Sequence, residues 1–191
     1  MEDIKFDPKK LAKLNNPERL EMQPPKEMWD LCALKNPDCI VDIGAGTGFF
    51  AKEFAKFFSG RVLALDISDI MLGWMCDNLS EVMSGRIQPL KMQEASMPLD
   101  ESVADLAYMI NLHHELHEPH GLLTDCLRIL KPGGKVMICD WKAVEMEMGP
   151  PLKIRITEDK IKAQLEEAGF KDVQVFDSLP MHSLVIATNP K

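Results

Sequence analysis

The stretch that decides the fold covers residues 40–50 and reads Ile40-Val41-Asp42-Ile43-Gly44-Ala45-Gly46-Thr47-Gly48-Phe49-Phe50. Apolar residues lead into a carboxylate and then into three glycines at alternate positions. Apolar residues at helical spacing follow as far as Phe58. Glycine accepts positive φ and lets another molecule approach the backbone without a Cβ in the way. The stretch therefore predicts a buried strand, a tight glycine turn and a helix, with a nucleotide-like ligand across the turn.

The spacing of the glycines narrows the class of ligand. The dinucleotide fingerprint is Gly-x-Gly-x-x-Gly, whereas the third glycine here comes one residue early. Asp42 at the strand end would repel a pyrophosphate and attract an ammonium group. The arrangement resembles motif I of the class I S-adenosylmethionine-dependent methyltransferases. That resemblance implies S-adenosylmethionine as the cofactor, with the cofactor-binding residues Asp42, Gly44, Ala45, Gly46 and Gly48.

A second predicted strand, residues 61–66, ends in Asp66 about 20 residues after the first glycine. A carboxylate at that point can accept hydrogen bonds from both hydroxyls of a ribose. The alternative is a helix N-cap or turn residue, because Ser68 and Asp69 come next. We predict ribose binding by Asp66, and Ile67 and Met71 complete this part of the predicted cofactor site.

Residues 88–99 predict a third short strand and its loop. The loop is similar to the family pattern Asp-Ala-x-x-Leu-Pro-Phe, whose first residue hydrogen-bonds the adenine amino group. Gln93 stands where the family has Asp, so the choice between Gln93 and Glu94 stays open. A backbone amide near Ala95 would serve a ring nitrogen, as the resemblance implies.

The next part of the chain predicts strand, helix and strand in succession. Their predicted limits are a fourth strand at 105–111, a helix at 122–130, a proline-glycine turn at 131–134 and a fifth strand at 135–141. The resemblance places Ile110 and Asn111 beneath the methionine part of the cofactor. Leu-Arg-Ile-Leu-Lys-Pro-Gly-Gly at 127–134 is among the most recognisable pieces of these methyltransferases. The resemblance covers residues 38–141 in the correct order.

The ends of the chain complete the fold prediction. Residues 1–25 are expected to form an N-terminal arm or lid, with a helix at 27–34 after it. The resemblance implies that Arg19 reaches the cofactor carboxylate, and the alternative is a solvated charge on a loosely held arm. A loop at 142–156, a helix capped by Thr157 and closed by Gly169, and strands at 171–176 and 183–188 follow. We predict one α/β domain over 1–191, a doubly wound, Rossmann-like, mostly parallel seven-stranded sheet with a terminal antiparallel hairpin.

Candidate catalytic residues follow the fourth strand. The cofactor's methyl lies on a positively charged sulfur, so the protein must chiefly position a nucleophile and exclude water. His113, His114 and Glu115 are candidates for a general base, because His titrates near neutral pH. The alternatives are a polar helix N-terminus and a zinc site using His113 and His117, and we expect no metal.

Composition limits the partners. The 191 residues carry a formal net charge of −8 and 46% hydrophobic residues, with a pI near 5.1. We expect a small-molecule methyl acceptor, with no nucleic acid and no membrane as partner. Five scattered cysteines and the lack of a signal peptide or long apolar stretch indicate a reducing cytoplasm. The oligomeric state stays open.

Two other functions stay open beside methyl transfer. A nicotinamide-dependent oxidoreductase shares the strand–turn–helix and the ribose carboxylate, but the glycine spacing and Asp42 disfavour it. A catalytically silent S-adenosylmethionine-binding module would keep the same pocket. The overall match, including residues 140–142 and 149–151, resembles small stand-alone methyltransferases of type 11, the ubiquinone-biosynthesis-like group.

Overall fold

Seven strands form one sheet in the computed structural model, which describes residues 8–191. The strands are β1 (Cys39–Ile43), β2 (Arg61–Asp66), β3 (Ile87–Lys91), β4 (Ala104–Ile110), β5 (Leu130–Trp141), β6 (Lys171–Phe176) and β7 (His182–Thr188). Their spatial order is β3-β2-β1-β4-β5-β7-β6. The first five run parallel, and β7 is antiparallel to both β5 and β6. The predicted mostly parallel sheet with a terminal antiparallel hairpin is confirmed.

Helices cover both faces of this sheet. They are α1 (Pro8–Leu14), α2 (Arg19–Met22), α3 (Pro25–Cys32), α4 (Phe49–Phe54), α5 (Asp69–Asn78), α6 (Ser80–Met83), α7 (Pro119–Ile129) and α8 (Glu158–Glu167). One apolar core packs α7 and α8 against the sheet, and the second packs α3, α4 and α5 against the other face. This is the doubly wound arrangement that the sequence predicts. Within residues 8–191, the helices are all too short or too polar to cross a membrane.

Local sequence sets several helix limits. Ser68 accepts a hydrogen bond from the Met71 amide at the start of α5, and Thr157 accepts one from Lys160 at the start of α8. Gly169, with φ of +107°, follows the end of α8. The predicted cap and end of α8 are therefore confirmed. The helices predicted at 27–34 and 122–130 both begin earlier in the structure, because α3 and α7 each have a proline at their first position.

The predicted turn at residues 131–134 is wrong, because β5 begins directly at Leu130 and includes these residues. The pairing between β4 and β5 shifts register here, between Ala104 and Leu106, so the proline and glycines form an irregular bulge. The backbone of Asn189 supplies hydrogen-bond partners for this bulge. Its carbonyl accepts from the Gly133 amide at 3.0 Å, and its amide donates to the Gly134 carbonyl at 2.8 Å. A partner more than 50 residues away thus holds the bulge in place.

The sheet order places a ligand site between β1 and β4. The chain leaves β1 toward β2 on one side, whereas β4 and β5 extend the sheet on the other side. Ligands of open α/β sheets bind outside the carboxyl ends of the strands at such a switch point. Asp42 in β1 pairs with Tyr108 in β4, so both strands bring their ends to the same edge.

Candidate functional site

The glycine loop after β1 adopts the backbone that only glycine tolerates well. Gly44, Gly46 and Gly48 all have positive φ, at +69°, +56° and +71°. A Cβ on Gly44 or Gly48 would lie within 2.9 Å of a neighbouring side chain. A Cβ on Gly46 would meet nothing nearer than Leu14 at 3.9 Å. The loop is therefore packed at its two ends and leaves room at its middle.

Asp66, at the end of β2, ties this loop to the next turn. Its two carboxylate oxygens accept hydrogen bonds from the Gly46 amide at 2.7 Å and the Ser68 amide at 2.8 Å. Ser68 caps α5, so the N-cap alternative for Asp66 is wrong. Asp66 does serve as a turn residue, because it accepts the hydrogen bond from the Ser68 amide. A carboxylate has about four lone-pair sites, so two amide contacts leave Asp66 able to accept further hydrogen bonds.

Asp42 is a buried acid close to the same loop. Burial raises its pKa to about 7 against the opposing influence of the Tyr108 hydroxyl and the Arg19 guanidinium, and the charge of Asp66 raises it further. The Tyr108 hydroxyl is itself buried and makes no hydrogen bond of standard geometry among the described residues. Asp42 is therefore poised to ionise when a cation approaches.

The end of β4 carries an amide pair that joins it to the N-terminal arm. Asn111 has a positive φ of +57°. Its side-chain amide and that of Gln23 exchange hydrogen bonds at 3.1 and 3.3 Å. Gln23 is almost wholly buried and also donates to Cys139 Sγ at 3.4 Å. Asn111 thus lies directly after β4, beside an arm residue that the sequence analysis did not identify.

The described part of the arm lies over the glycine loop. Asn15 accepts a hydrogen bond from the Thr47 hydroxyl at 3.0 Å. Arg19 donates to the Leu14 carbonyl, and its guanidinium stacks 4.7 Å from the ring centre of Phe50. Burial lowers the pKa of Arg19. The loosely held, solvated alternative for Arg19 is therefore wrong, and the part of the predicted arm in residues 1–7 lies outside the described residues.

The residues predicted near the adenine lie in an exposed turn after β3. Gln93 and Ser96 exchange backbone hydrogen bonds across it, and Glu94 and Ala95 between them are also exposed. After β2, Ile67 is 59% exposed while Met71 is buried. Ile110, the last residue of β4, is buried. The structure gives no reason to choose between Gln93 and Glu94, and that alternative stays open.

The three candidate bases lie in one 3₁₀ helix, His113–Glu115, but their surroundings differ. His114 Nδ1 donates to Asp140 Oδ1 at 2.7 Å, and the His114 amide donates to the other oxygen at 2.9 Å. Burial of the ring lowers the pKa of His114, but the hydrogen bond and charge of Asp140 outweigh it and raise the pKa above its ordinary value. His114 is thus a histidine oriented by a carboxylate, with Nε2 left to carry a lone pair.

His113 and Glu115 have different roles in the fold. His113 Nε2 lies 2.8 Å from Gln164 Oε1 of α8, and burial lowers the pKa of His113. Glu115 is exposed. The 3₁₀ helix ends at Glu115, so His117 does not follow His113 at α-helical spacing and the zinc alternative loses its geometry. Among the described residues, no three His, Cys, Asp or Glu side chains come together as a metal site.

An open depression of about 670 Å³ lies beside the carboxyl edge, formed by residues 145–155. Arg155 holds this loop by donating to the carbonyls of Val144, Met148 and Pro150, each at 2.8 Å, and to that of Lys142 at 3.3 Å. The arginine side chain is buried and lies 5.9 Å from the ring of Trp141. Sequence reasoning predicted the loop, but nothing local marks Arg155 as its organiser.

Asp140 was not among the predicted site residues, although it orients His114. It stands at the carboxyl end of β5, as Asp42 and Asp66 stand at the ends of β1 and β2. A carboxylate at the end of an apolar strand is the sequence signal that would have found it. The fold and this edge together define a doubly wound α/β protein with carboxylates at the ends of β1, β2 and β5, the edge where ligands of this class of fold bind.

Comparison with known proteins identifies the family. The family described as "Methyltransferase domain" matches residues 41–138, just over half of the chain. The chain therefore belongs to the methyltransferase domain family. The resemblance to class I S-adenosylmethionine-dependent methyltransferases, predicted from the sequence, is confirmed.

Individual relatives agree with this assignment. A solved structure described as a SAM-dependent methyltransferase from Aquifex aeolicus is 31% identical, with a TM-score of 0.88 over 96% of this chain and 99% of that one. The ubiquinone/menaquinone biosynthesis C-methyltransferase UbiE of Bordetella avium is 33% identical over 115 residues, 58% of this chain and 44% of that protein. Phosphoethanolamine N-methyltransferase 2 of Haemonchus contortus, solved with S-adenosyl-L-methionine, shares the fold at 16% identity and a TM-score of 0.73, over 88% of this chain and 52% of that one. The chain thus spans about half the length of the curated relatives that it matches first.

Proposed function

We propose that the protein is an S-adenosylmethionine-dependent methyltransferase that moves a methyl group to a small-molecule acceptor by in-line displacement. The observation that carries the proposal is the pair of carboxylates, Asp42 and Asp66, at the ends of neighbouring parallel strands on either side of the glycine loop. The Aquifex and Bordetella relatives are methyltransferases, and the net charge of −8 disfavours a nucleic acid as acceptor.

The residues present fit this cofactor. Asp66 keeps acceptor capacity for ribose hydroxyls, and the middle of the glycine loop leaves the backbone open at Gly46. Asp42 lies where an ammonium group would favour its ionised form. We assign the cofactor to these groups together with Gly44, Ala45, Gly48, Ile67, Met71, Gln93 or Glu94, Ala95, Ile110 and Asn111.

When bound, S-adenosylmethionine supplies a methyl group on a positively charged sulfur. The chain's own task is to hold the acceptor in line, exclude water and take up a proton where the acceptor must lose one. We assign that proton to Nε2 of His114, because Asp140 holds the ring by Nδ1 and stabilises the imidazolium that forms. His113 serves the fold through Gln164, and Glu115 is too exposed to act as a desolvated base.

The proposal is tested by calorimetric titration with S-adenosylmethionine, S-adenosylhomocysteine and NADH. We expect micromolar binding of the first two to the unmodified protein, weakened at least 100-fold in Asp66→Ala because two charge-assisted contacts of the loop are lost with the ribose acceptor. Asp69→Ala, which removes an exposed carboxylate three residues later, should bind normally.

Preference for NADH, or no binding of any of the three, would refute the proposal. Cofactor binding without release of S-adenosylhomocysteine against a metabolite panel would instead support the catalytically silent module. Turnover with any acceptor in the panel separates the enzyme from that alternative.

A further inference from the structure

His182, the first residue of β7, is a fully buried histidine that the proposed mechanism does not use. Neither of its ring nitrogens has a hydrogen-bond partner among the described residues. Buried polar side-chain atoms in proteins are nearly always hydrogen-bonded, and each orphaned atom costs about 1–3 kcal/mol. An imidazole with both nitrogens unpaired within the described chain can bind a partner from outside the fold.

His182 lies at the carboxyl edge of the sheet, where ligands of open α/β sheets bind. It pairs with Trp141 at the carboxyl end of β5, and both rings lie on the face of the sheet that carries Cys139, to which Gln23 of the arm donates. The rings of His182 and Trp141 are 4.3 Å apart between centres, so the tryptophan fixes the orientation of the imidazole. The segment held by Arg155 packs on Trp141, since a Cβ on Gly149 would lie 2.7 Å from the indole.

The charges around His182 keep its ring neutral. Burial lowers its pKa to about 4, and the cations Arg19, Lys142 and Arg155 act in the same direction against the charge of Asp140. A neutral imidazole offers one donor and one acceptor and no net charge. It suits a hydroxyl or carbonyl group and gives no advantage to a carboxylate or an ammonium.

We propose that His182 is a specificity-determining residue of the acceptor site, which binds a hydroxyl or carbonyl group of the methyl acceptor when the loop held by Arg155 admits it. The acceptor role depends on the proposed methyl transfer, but the binding preference does not. The preferred ligand is uncharged where it meets this ring and carries at least one oxygen.

The test uses phenol and toluene, which have nearly the same shape and differ in the hydroxyl. Binding is followed by the indole N–H signal of Trp141 in NMR titrations, with and without S-adenosylhomocysteine. We expect the unmodified protein to bind phenol about tenfold more tightly than toluene, as one buried hydrogen bond implies. His182→Phe should abolish the preference, His182→Gln should retain part of it, and His120→Phe, at a histidine of α7 outside the site, should leave it unchanged.

Thermal unfolding separates this role from a purely structural one. His182→Phe removes two unpaired buried nitrogens in favour of a ring of similar size, so its unfolding temperature should equal or exceed that of the unmodified protein. Equal binding of phenol and toluene, or a preference that survives His182→Phe, would overturn the proposal. A lower unfolding temperature for His182→Phe would overturn it too, because the ring would then have served only the fold. Failure of S-adenosylhomocysteine to bind would refute the proposed function and not this preference.

Discussion

The two halves of the sheet's carboxyl edge are built in opposite ways. Beside β1 and β2, the glycine loop and the next turn are held by the chain itself, because Asp66 accepts the amides of Gly46 and Ser68. At β5 and β7 the buried imidazole of His182 has no partner within the described chain, and the covering segment is held chiefly by Arg155. By our proposals, the first half is preorganised for the cofactor, whereas the second is completed by the methyl acceptor.

This difference matches the division of labour in the proposed reaction. A cofactor that is the same in every turnover can be met by a rigid backbone loop, since rigidity lowers the entropy lost on binding. An acceptor must enter and leave past a segment that moves. Substitutions in the two halves should therefore have different consequences.

The largest effect is expected at His114, which stands between the halves. His114→Ala should lower kcat by about 10²–10⁴ with an acceptor that must lose a proton, because the base is gone. Steady-state kinetics with an acceptor identified by the metabolite panel would measure it. His120→Ala, at a histidine of α7 outside the site, is the control and should keep full activity.

The pH dependence distinguishes a base from a packing residue. A base must be neutral, so activity should rise with pH through the pKa of His114, which Asp140 raises. Asp140→Asn removes that influence, and the rising limb should move to lower pH. A limb that stays in place, or full activity of His114→Ala, would show that His114 only packs.

The next largest effect is a loss of unfolding free energy at Gly48, and comparison with Gly133 separates the cost of tight packing from that of backbone strain. Gly48 and Gly133 have nearly the same positive φ, +71° and +72°, but only Gly48 has side chains within 3 Å of the position that an added Cβ would occupy. Gly133→Ala should cost about 1–2 kcal/mol of unfolding free energy from the backbone alone. Gly48→Ala should cost about 2–4 kcal/mol, because Leu79 and Met75 must also move. Urea unfolding measures both, and equal costs would contradict the tight packing at the end of the glycine loop.

The sequence predicted the β1–β2 half of the carboxyl edge much better than the β5–β7 half. The strand ends at Asp42 and Asp66 and the glycine loop between them are set by neighbours along the chain, and the sequence predicted their places in the fold. The Gln23–Asn111 pair joins residues 88 positions apart, and only the folded chain brings them together. The same holds for Arg155 and for His182, whose meaning lies in contacts that they make or lack after folding.

A smaller effect on stability is expected from Asp42, the buried acid at the end of β1. The pKa of Asp42 is raised from 3.8 to about 7 in the folded state, so the folded protein holds a proton that the unfolded chain has released. This stabilising contribution is complete below pH 3.8 and is lost as the pH rises to about 7. Asp42→Asn should therefore exceed the unmodified protein in stability at pH 8, by about 1–3 kcal/mol, and lose that advantage near pH 4.

Urea unfolding at these two pH values measures the difference, with Asp69→Asn as the exposed control. A difference for Asp42→Asn that does not change with pH would show that the acid is already ionised in the folded protein. In that case the preorganised half would hold a fixed negative charge instead of an acid that ionises on ligand binding.

The smallest effect tests the other half, where one side chain organises a whole segment. Arg155→Met keeps the stem that packs near Trp141 but removes the hydrogen bonds to the carbonyls of Val144, Met148 and Pro150. Hydrogen exchange of amides in residues 142–151 should accelerate about tenfold, which corresponds to about 1.4 kcal/mol of local opening. Exchange in β1 and β4 should stay unchanged, because the segment can open without the core.

Lys153→Met is the matched control, since it removes an exposed cation from the same region and should change the exchange of neither part. Two results would contradict the contrast between the halves. If residues 142–151 of Arg155→Met exchanged no faster than in the unmodified protein, the segment would not depend on this one side chain. If β5 lost its protection together with the segment, the segment would belong to the rigid body of the sheet and could not open by itself to admit an acceptor.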